Sequence, residues 1–269
     1  MLIANRPFPP LLAGVVLLLS LGITVSTARS HVANAVVPQG GHGNEYRLAY
    51  IDASHLEAYS RESWRDDGVM GLCLNLMRNG YQTLMLPELT AERLRQAQLL
   101  VCIAPARPSD RDEIKMLVDY MEEGGVLIYT VGKDRAGPSE SLLASLGFRV
   151  GAAHWSGDTP VNGLRPLGYF KTNYAELPDA FVRFYASWPV ACPDHTSEVI
   201  SFYPPDNPLV ILRRVGRGAV VLVGDTCFAM NKNLELENGE PIEGLRENAE
   251  FWTWLLQHLN QLRTRNLRE

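Results

Sequence analysis

Short apolar runs that each end in glycine, proline or a carboxylate constrain this chain most. They are RLAYIDA (Arg47 to Ala53), YQTLMLP (Tyr81 to Pro87), LLVCIAP (Leu99 to Pro105), VLIYTVG (Val126 to Gly132) and AVVLVGD (Ala219 to Asp225). Such runs suit strands buried on both faces, which read as continuous rather than alternating apolar sequence. Between them lie segments with helical spacing. In the stretch 67–79 the apolar positions are Val69, Leu72, Cys73, Leu76 and Met77, with Asp66 or Asp67 able to cap its start and Gly80 suited to its end. Thr90 to Ala97 is a short helix. The clearest helix carries Ile114, Leu117, Val118 and Met121 on one face and stops at Gly124-Gly125. Ser109 and Asp112 resemble a capping box at its start. Ser139 to Ser145 is another short helix, and Phe148-Arg149-Val150 begins a fifth strand. Strands alternating with helices of this length predict an α/β fold, a doubly wound, mainly parallel sheet.

The pattern weakens at about 151–208. His154, Trp155, Tyr169, Phe170, Tyr174, Phe184, Tyr185, Trp188 and Tyr203 make this stretch too apolar for disorder. It is expected to be an irregular insertion packed on the sheet edge, with short strands of its own. LVILRRV and AVVLVGD then flank Gly216-Arg217-Gly218, which predicts an edge hairpin. A closing C-terminal helix runs from Asn248 to Leu262, with Phe251, Trp252, Leu255, Leu259 and Leu262 facing inward.

The N-terminus differs. Leu11 to Val25 holds no charge, and the uncharged stretch from Pro7 to Ala28 approaches the roughly 20 residues that span a bilayer. Residues 1–28 are therefore expected to be a transmembrane anchor or a signal peptide, with a buried helix the remaining alternative. Residues 29–45 form a linker, 46–263 the domain and 264–269 a tail. The expected location is the cytoplasmic (inner) membrane, single pass, with the domain outside, or a secreted or periplasmic form. A chain of 269 residues with net charge −5 and pI near 5.7 lacks the basic footprint that nucleic acid needs. The four cysteines, Cys73, Cys102, Cys192 and Cys227, show no C-x-x-C. Export would permit one disulfide, for which Cys192 and Cys227 are candidates.

Several pieces together resemble a known family. They are the strand ending in Asp52, the strand ending near Pro105, and the helix stopping at Glu123-Gly124-Gly125 with a strand just after it. Gly216-Arg217-Gly218, the V-V-x-V-G-D-x-x-F run from Val220 to Phe228, and the helix beginning at Asn248 complete the set. From Arg47 to Leu262 the chain resembles the class I glutamine amidotransferase-like fold. More narrowly it resembles the membrane-anchored or exported branch of unknown function, whose relatives include accessory domains of ABC-type transport and gliding-motility systems. The resemblance implies an amidotransferase- or flavodoxin-like sheet and a non-catalytic role. The family's nucleophile elbow, G-x-C-x-G, does not occur here, and Cys102 falls in mid-strand.

Ligands of open α/β sheets bind beyond the carboxyl ends of the strands. That edge gathers Asp52, Ser54 and His55, then Arg107, Lys133 and Asp134, and finally Asp225, Thr226 and Asn231. The set suits a polar ligand, and the same residues also suit loop caps. Asp225 in particular can accept backbone N–H bonds as an Asx-turn. Cys227 would be a nucleophile only with a lowered pKa. His55, His154 and His195, with Asp52, Asp158 and Asp194, lack metal-ligand spacing, so neither metal nor cofactor is expected. Trp155, Tyr169, Phe170, Tyr174 and Trp188 fit either a carbohydrate-stacking surface or a satellite core. The expected function is a non-catalytic binding or scaffolding module in an envelope or ABC-type transport assembly, with a membrane or envelope protein as partner. The alternative is a divergent hydrolase or amidotransferase using the strand-end crevice.

Overall fold

The computed structural model describes residues 47–55, 57–60, 65–151, 168–172, 181–203, 206–235 and 246–266. The apolar segment 11–25, the linker, His154, Trp155, Asp158 and Tyr174 lie outside them. The chain runs β1 (Arg47–Asp52), α1 (Met70–Arg78), β2 (Tyr81–Leu86), α2 (Ala91–Gln96), β3 (Leu99–Ile103), α3 (Arg111–Glu122), β4 (Val126–Thr130), α4 (Glu140–Ser145) and β5 (Arg149–Val150). It continues through β6 (Gly168–Thr172), β7 (Phe181–Phe184), β8 (Val190–Ala191), β9 (Ser197–Tyr203), β10 (Asn207–Val215), β11 (Gly218–Val223) and α5 (Arg246–Asn266).

Nine strands form one mixed sheet in the order β2-β1-β3-β4-β11-β10-β9-β6-β7. From β2 to β11 the neighbours are parallel, and from β11 onward they are antiparallel. β5 and β8 pair separately. The chain leaves β1 toward β2 and returns across it to β3, so the direction of winding switches between β1 and β3. Crevices open at such switch points.

Alternation along each strand explains the unbroken apolar runs. Ala49, Ile51, Val101, Ile128 and Val221 face a core shared with Leu72 and Leu76 of α1 and Phe251, Trp252 and Leu255 of α5. Tyr50, Leu100, Leu127 and Leu222 face the other core, with Leu94 of α2, Leu117 and Met121 of α3, and Leu142 of α4. With both faces dry, every inner strand must be apolar at both parities. α5 buries the five side chains expected of it and runs beyond Leu262.

Three expectations are corrected. The hairpin at Gly216-Arg217 forms, with Gly216 at φ +56° and Val215 opposite Gly218, but it is not at the edge. β10 buries Leu209 through Leu212 on both faces, and the strands of the insertion continue the sheet beyond it. α3 is capped by Asp110 with Glu113, not by Ser109 with Asp112. Asp110 accepts from the Asp112 and Glu113 amides while Glu113 accepts from the Asp110 amide. α1 starts at Met70 without a cap from Asp66 or Asp67. The amide of Gly71 instead donates to Asn231 Oδ1, 2.8 Å away and 160 residues later. Gly71 is required there, because a Cβ would collide with the backbone carbonyl of Glu235. Glu235 is itself fully buried and held by Arg78 at 2.6 Å and Asn75 at 3.2 Å.

Phe228, just after β11, sits among Phe184 of β7 and Phe251 and Trp252 of α5, with ring centroids 5.2, 5.8 and 5.8 Å away. It joins the antiparallel half to the closing helix. Phe228→Ala is expected to lower unfolding free energy by about 3–5 kcal/mol, read as a fall in the urea midpoint at unchanged slope.

Candidate functional site

The strand-end residues fall into two clusters and one outlier. The first cluster lies at the switch point. β1 ends in Asp52, which is 1% exposed. Its Oδ1 accepts from the Ser54 amide and hydroxyl at 3.0 and 2.7 Å, and its Oδ2 lies 2.8 Å from His55 Nδ1. His55 is 2% exposed. Its carbonyl accepts from the Ala106 and Arg107 amides beyond β3, which fixes the loop after β1 to the loop after β3. The other ring nitrogen, Nε2, lies 3.3 Å from Ser109 Oγ and 3.5 Å from Glu113 Oε2. Arg107 closes the chain of charges with a bidentate bond to Glu113 at 2.7 and 3.0 Å.

Burial alone would lower the His55 pKa. The hydrogen bond and charge of Asp52, with Glu113 behind, hold it above the ordinary value despite Arg107. Glu113 is pulled down to about 2, chiefly by its hydrogen bond to Arg107. Each charge in this cluster therefore has a partner of opposite sign inside the protein.

Beside it, Ala104 follows β3 at φ +40°, a conformation that favours glycine. Its amide donates to the Thr130 carbonyl of β4 at 2.8 Å. A strained residue at a strand end is where an α/β hydrolase presents its nucleophile. Here that position carries a methyl group and is followed by Pro105. Cys102 lies two residues earlier, 3% exposed in the core, and burial raises its thiol well above the usual range.

The second cluster lies beyond β4 and β11. Asp225 is fully buried. Oδ1 accepts from the Cys227 amide at 2.8 Å, the expected Asx-turn. Oδ2 accepts from the Tyr185 and Ala186 amides at 2.7 and 3.2 Å, 40 and 39 residues away. Burial pushes this carboxyl up to about 7, against those three amides and Lys232. Trp188 follows, its amide donating to the Gly224 carbonyl at 2.6 Å. A Cβ on Gly132 or Gly224 would strike Trp188, so the two glycines admit this segment over the ends of β4 and β11. Thr226 Oγ1 accepts from the Gly132 amide at 2.9 Å and donates to Asp134 at 3.1 Å. Lys133 and Asp134 are exposed on the turn after β4.

Asn231 is the outlier. Besides capping α1, it donates through Nδ2 to the Arg65 carbonyl at 2.8 Å. Its side-chain groups are committed to the fold.

Cys227 does not meet the condition for a nucleophile. Burial first, then the Asp225 charge, raise its thiol to about 11. The four cysteines are free, which corrects the Cys192–Cys227 disulfide. His195 is almost fully exposed, 3.8 Å from Asp194, and among the described residues no group of three or more His, Cys, Asp or Glu is placed so that it could hold a metal ion. Glu113, Ser109, Tyr185 and Trp188 completed the site without being foreseen as part of it. For Glu113 a signal existed: D-x-x-E at Asp110 and Glu113 is the capping pattern that places its carboxylate beside Arg107.

No family model and no curated relative matches the chain. Among solved structures, the mmIFT52 N-terminal domain aligns with TM-score 0.60 at 13% identity, over 79% of this chain and 97% of that one. The cytoplasmic protein STM1381 from Salmonella typhimurium LT2 aligns with TM-score 0.55 at 14% identity, over 79% and 99%. The cytoplasmic protein STM3548 from Salmonella typhimurium gives 0.53 at 12% identity, over 79% and 98%. At these identities the likeness concerns the fold alone. The resemblance to the class I glutamine amidotransferase-like fold and its exported or membrane-anchored branch is thereby corrected: no family model carries it, and these structures are an IFT52 N-terminal domain and two cytoplasmic proteins. The expected membrane location is corrected too: two of those structures are of proteins described as cytoplasmic. No helix among the described residues is long and apolar enough to cross a membrane.

Two outcomes follow from this geometry. Asp225→Asn turns an amide NH2 toward backbone N–H donors and is expected to cost about 1–3 kcal/mol, measured by urea unfolding. His55, with its pKa raised in the folded state, contributes stability present below about 6.5 and lost as pH rises through the higher folded value. NMR titration of the imidazole is expected to give a midpoint above 6.5, and Glu113→Gln to lower it.

Proposed function

We propose that the domain is a non-catalytic binding or scaffolding module. The observation that carries this reading is the strand-end edge filled by the chain's own groups. Tyr185, Ala186 and Trp188 lie across β4 and β11, bound to Asp225 and Gly224. At the switch point, Asp52, His55, Glu113 and Arg107 satisfy one another. A nucleophile is missing from the strained position at Ala104. Lys133 and Asp134, of opposite sign, face solvent beyond β4, and Arg107 is partly exposed beside Glu113 beyond β3, groups that suit a recognition surface. A polar ligand or a protein partner of mixed charge fits such a surface. The finer fold reading, a doubly wound sheet in the flavodoxin order, is supported by the sequence of β2, β1, β3, β4 and β11 and by helices on both faces. The envelope transport assembly rested on the expected export and is not retained.

A second reading has one specific observation in its favour. Asp52, His55 and Ser109 stand in the order of an acid, a base and a hydroxyl nucleophile, at 2.8 and 3.3 Å. In a hydrolase, Asp52 would hold the Nδ1 proton and Nε2 would accept the Ser109 proton. Glu113 competes for that nitrogen, and the raised His55 pKa favours the imidazolium, which cannot accept.

A fluorophosphonate probe separates the two. Incubated with the full chain and followed by intact mass and peptide mapping, it is expected to leave Ser109 unmodified. An adduct on Ser109 that disappears in His55→Gln would transfer the conclusion to the hydrolase.

A further inference from the structure

We propose that β2 is a homodimer edge, on which a second copy of this chain adds its own β2 antiparallel across a two-fold axis. β2 ends the nine-stranded sheet, and no described strand pairs with its outer side. Edge strands that face water are normally blunted by charge, by proline within the strand or by a bulge. This one reads Tyr-Gln-Thr-Leu-Met-Leu, uncharged from Tyr81 to Leu86 and regular in its pairing with β1. Among the described residues the exposed large apolar side chains are Met77, Leu84 and Met85, at 57%, 41% and 41%. Two of the three lie on β2, and Met77 lies on α1, which packs beside it.

Their parity matters. Tyr81, Thr83 and Met85 point to the face covered by α1 and α5, since Tyr81 belongs to that core. Leu84 points with Leu86 to the face covered by α2 and α3. Apolar exposure on both faces of one edge is the pattern of an inner strand, and it fits a sheet that continues.

Charge selects the occupant. At the start of β2, Arg47 lies over the Tyr81 ring, and its guanidinium stands beside Gly80. At the end of β2, Glu88 and Glu92 are exposed. The edge thus runs from basic to acidic and is complementary to itself when reversed. A two-fold axis perpendicular to the sheet keeps each face on its own side and pairs residues of equal parity. The register centred on Leu84 sets Leu84 against the second copy's Leu84, and Met85 against the second copy's Thr83. It also brings the second copy's Glu88 opposite Gly80, beside Arg47. A parallel partner would set like charges together.

The test is sedimentation equilibrium of the full chain over a wide concentration range, all variants in one non-ionic detergent because of the apolar stretch 11–25. Wild type is expected to dimerise reversibly. Leu84→Lys, at an exposed position, is expected to weaken association at least tenfold, with a melting temperature unchanged at concentrations where both proteins are monomeric. In a second arm, Leu84→Cys is expected to form a disulfide dimer under mild oxidation faster than Met85→Cys, whose partner position is Thr83. A monomer at all concentrations overturns the proposal. A dimer undiminished by Leu84→Lys also overturns it, as that dimer belongs to another surface. Equal cross-linking of the two cysteine variants overturns the register.

Discussion

A single buried carboxyl ties the turn after the central strand to a segment some forty residues earlier in the chain. Asp225 terminates the central strand β11, where the parallel half meets the antiparallel half. One oxygen closes its own turn and the other binds two amides of the segment after β7. The segment is thereby drawn across the strand ends, and Trp188 seals it against Gly132 and Gly224. Removing a carboxyl from water is costly unless hydrogen bonds replace the lost solvent. Three backbone donors replace it here, one from its own turn and two from the segment after β7. The aromatic cluster of Phe184, Phe228, Phe251 and Trp252 lies close by and turns that meeting into packing.

The switch point follows a related logic with opposite charges. Asp52 and Glu113 each approach His55, while Arg107 fixes Glu113 from the solvent side. Such a chain of alternating signs is stable because no member is left buried alone. An imidazole between two carboxylates is favoured in its protonated form, which has no lone pair to accept a proton, and burial raises the Cys102 and Cys227 thiols away from the thiolate. The machinery resembling a catalytic site is consumed in holding the loops after β1 and β3 together. On the proposed reading, recognition falls to the exposed rim and to the sheet edge.

Much of the fold was legible in the residues. The strand runs, the stop at Gly124-Gly125, the turn at Gly216-Arg217 and the inward face of α5 all rest on local periodicity or on glycine's freedom, and local rules carry them. The site was legible by half. Asp52 and His55 adjoin in sequence, and the Asx-turn of Asp225 reaches only two residues, so both could be read. Asn231 was misplaced because its partner, the Gly71 amide, lies 160 residues away. The place of the hairpin inside the sheet is not legible locally, because nothing in its residues tells a last strand from one extended by an insertion.

The sequence by itself determined that strands and helices alternate and that the inner strands are dry on both faces. It also determined that an uncharged strand reads from Tyr81 to Leu86, because side-chain parity and backbone preference act over a few residues. Only the tertiary structure decided which strand became the edge, which carboxylate faced which base, and which segment covered the strand ends. Those outcomes depend on hydrogen bonds and charges between residues tens to more than a hundred positions apart, whose meeting is set by the path of the whole chain.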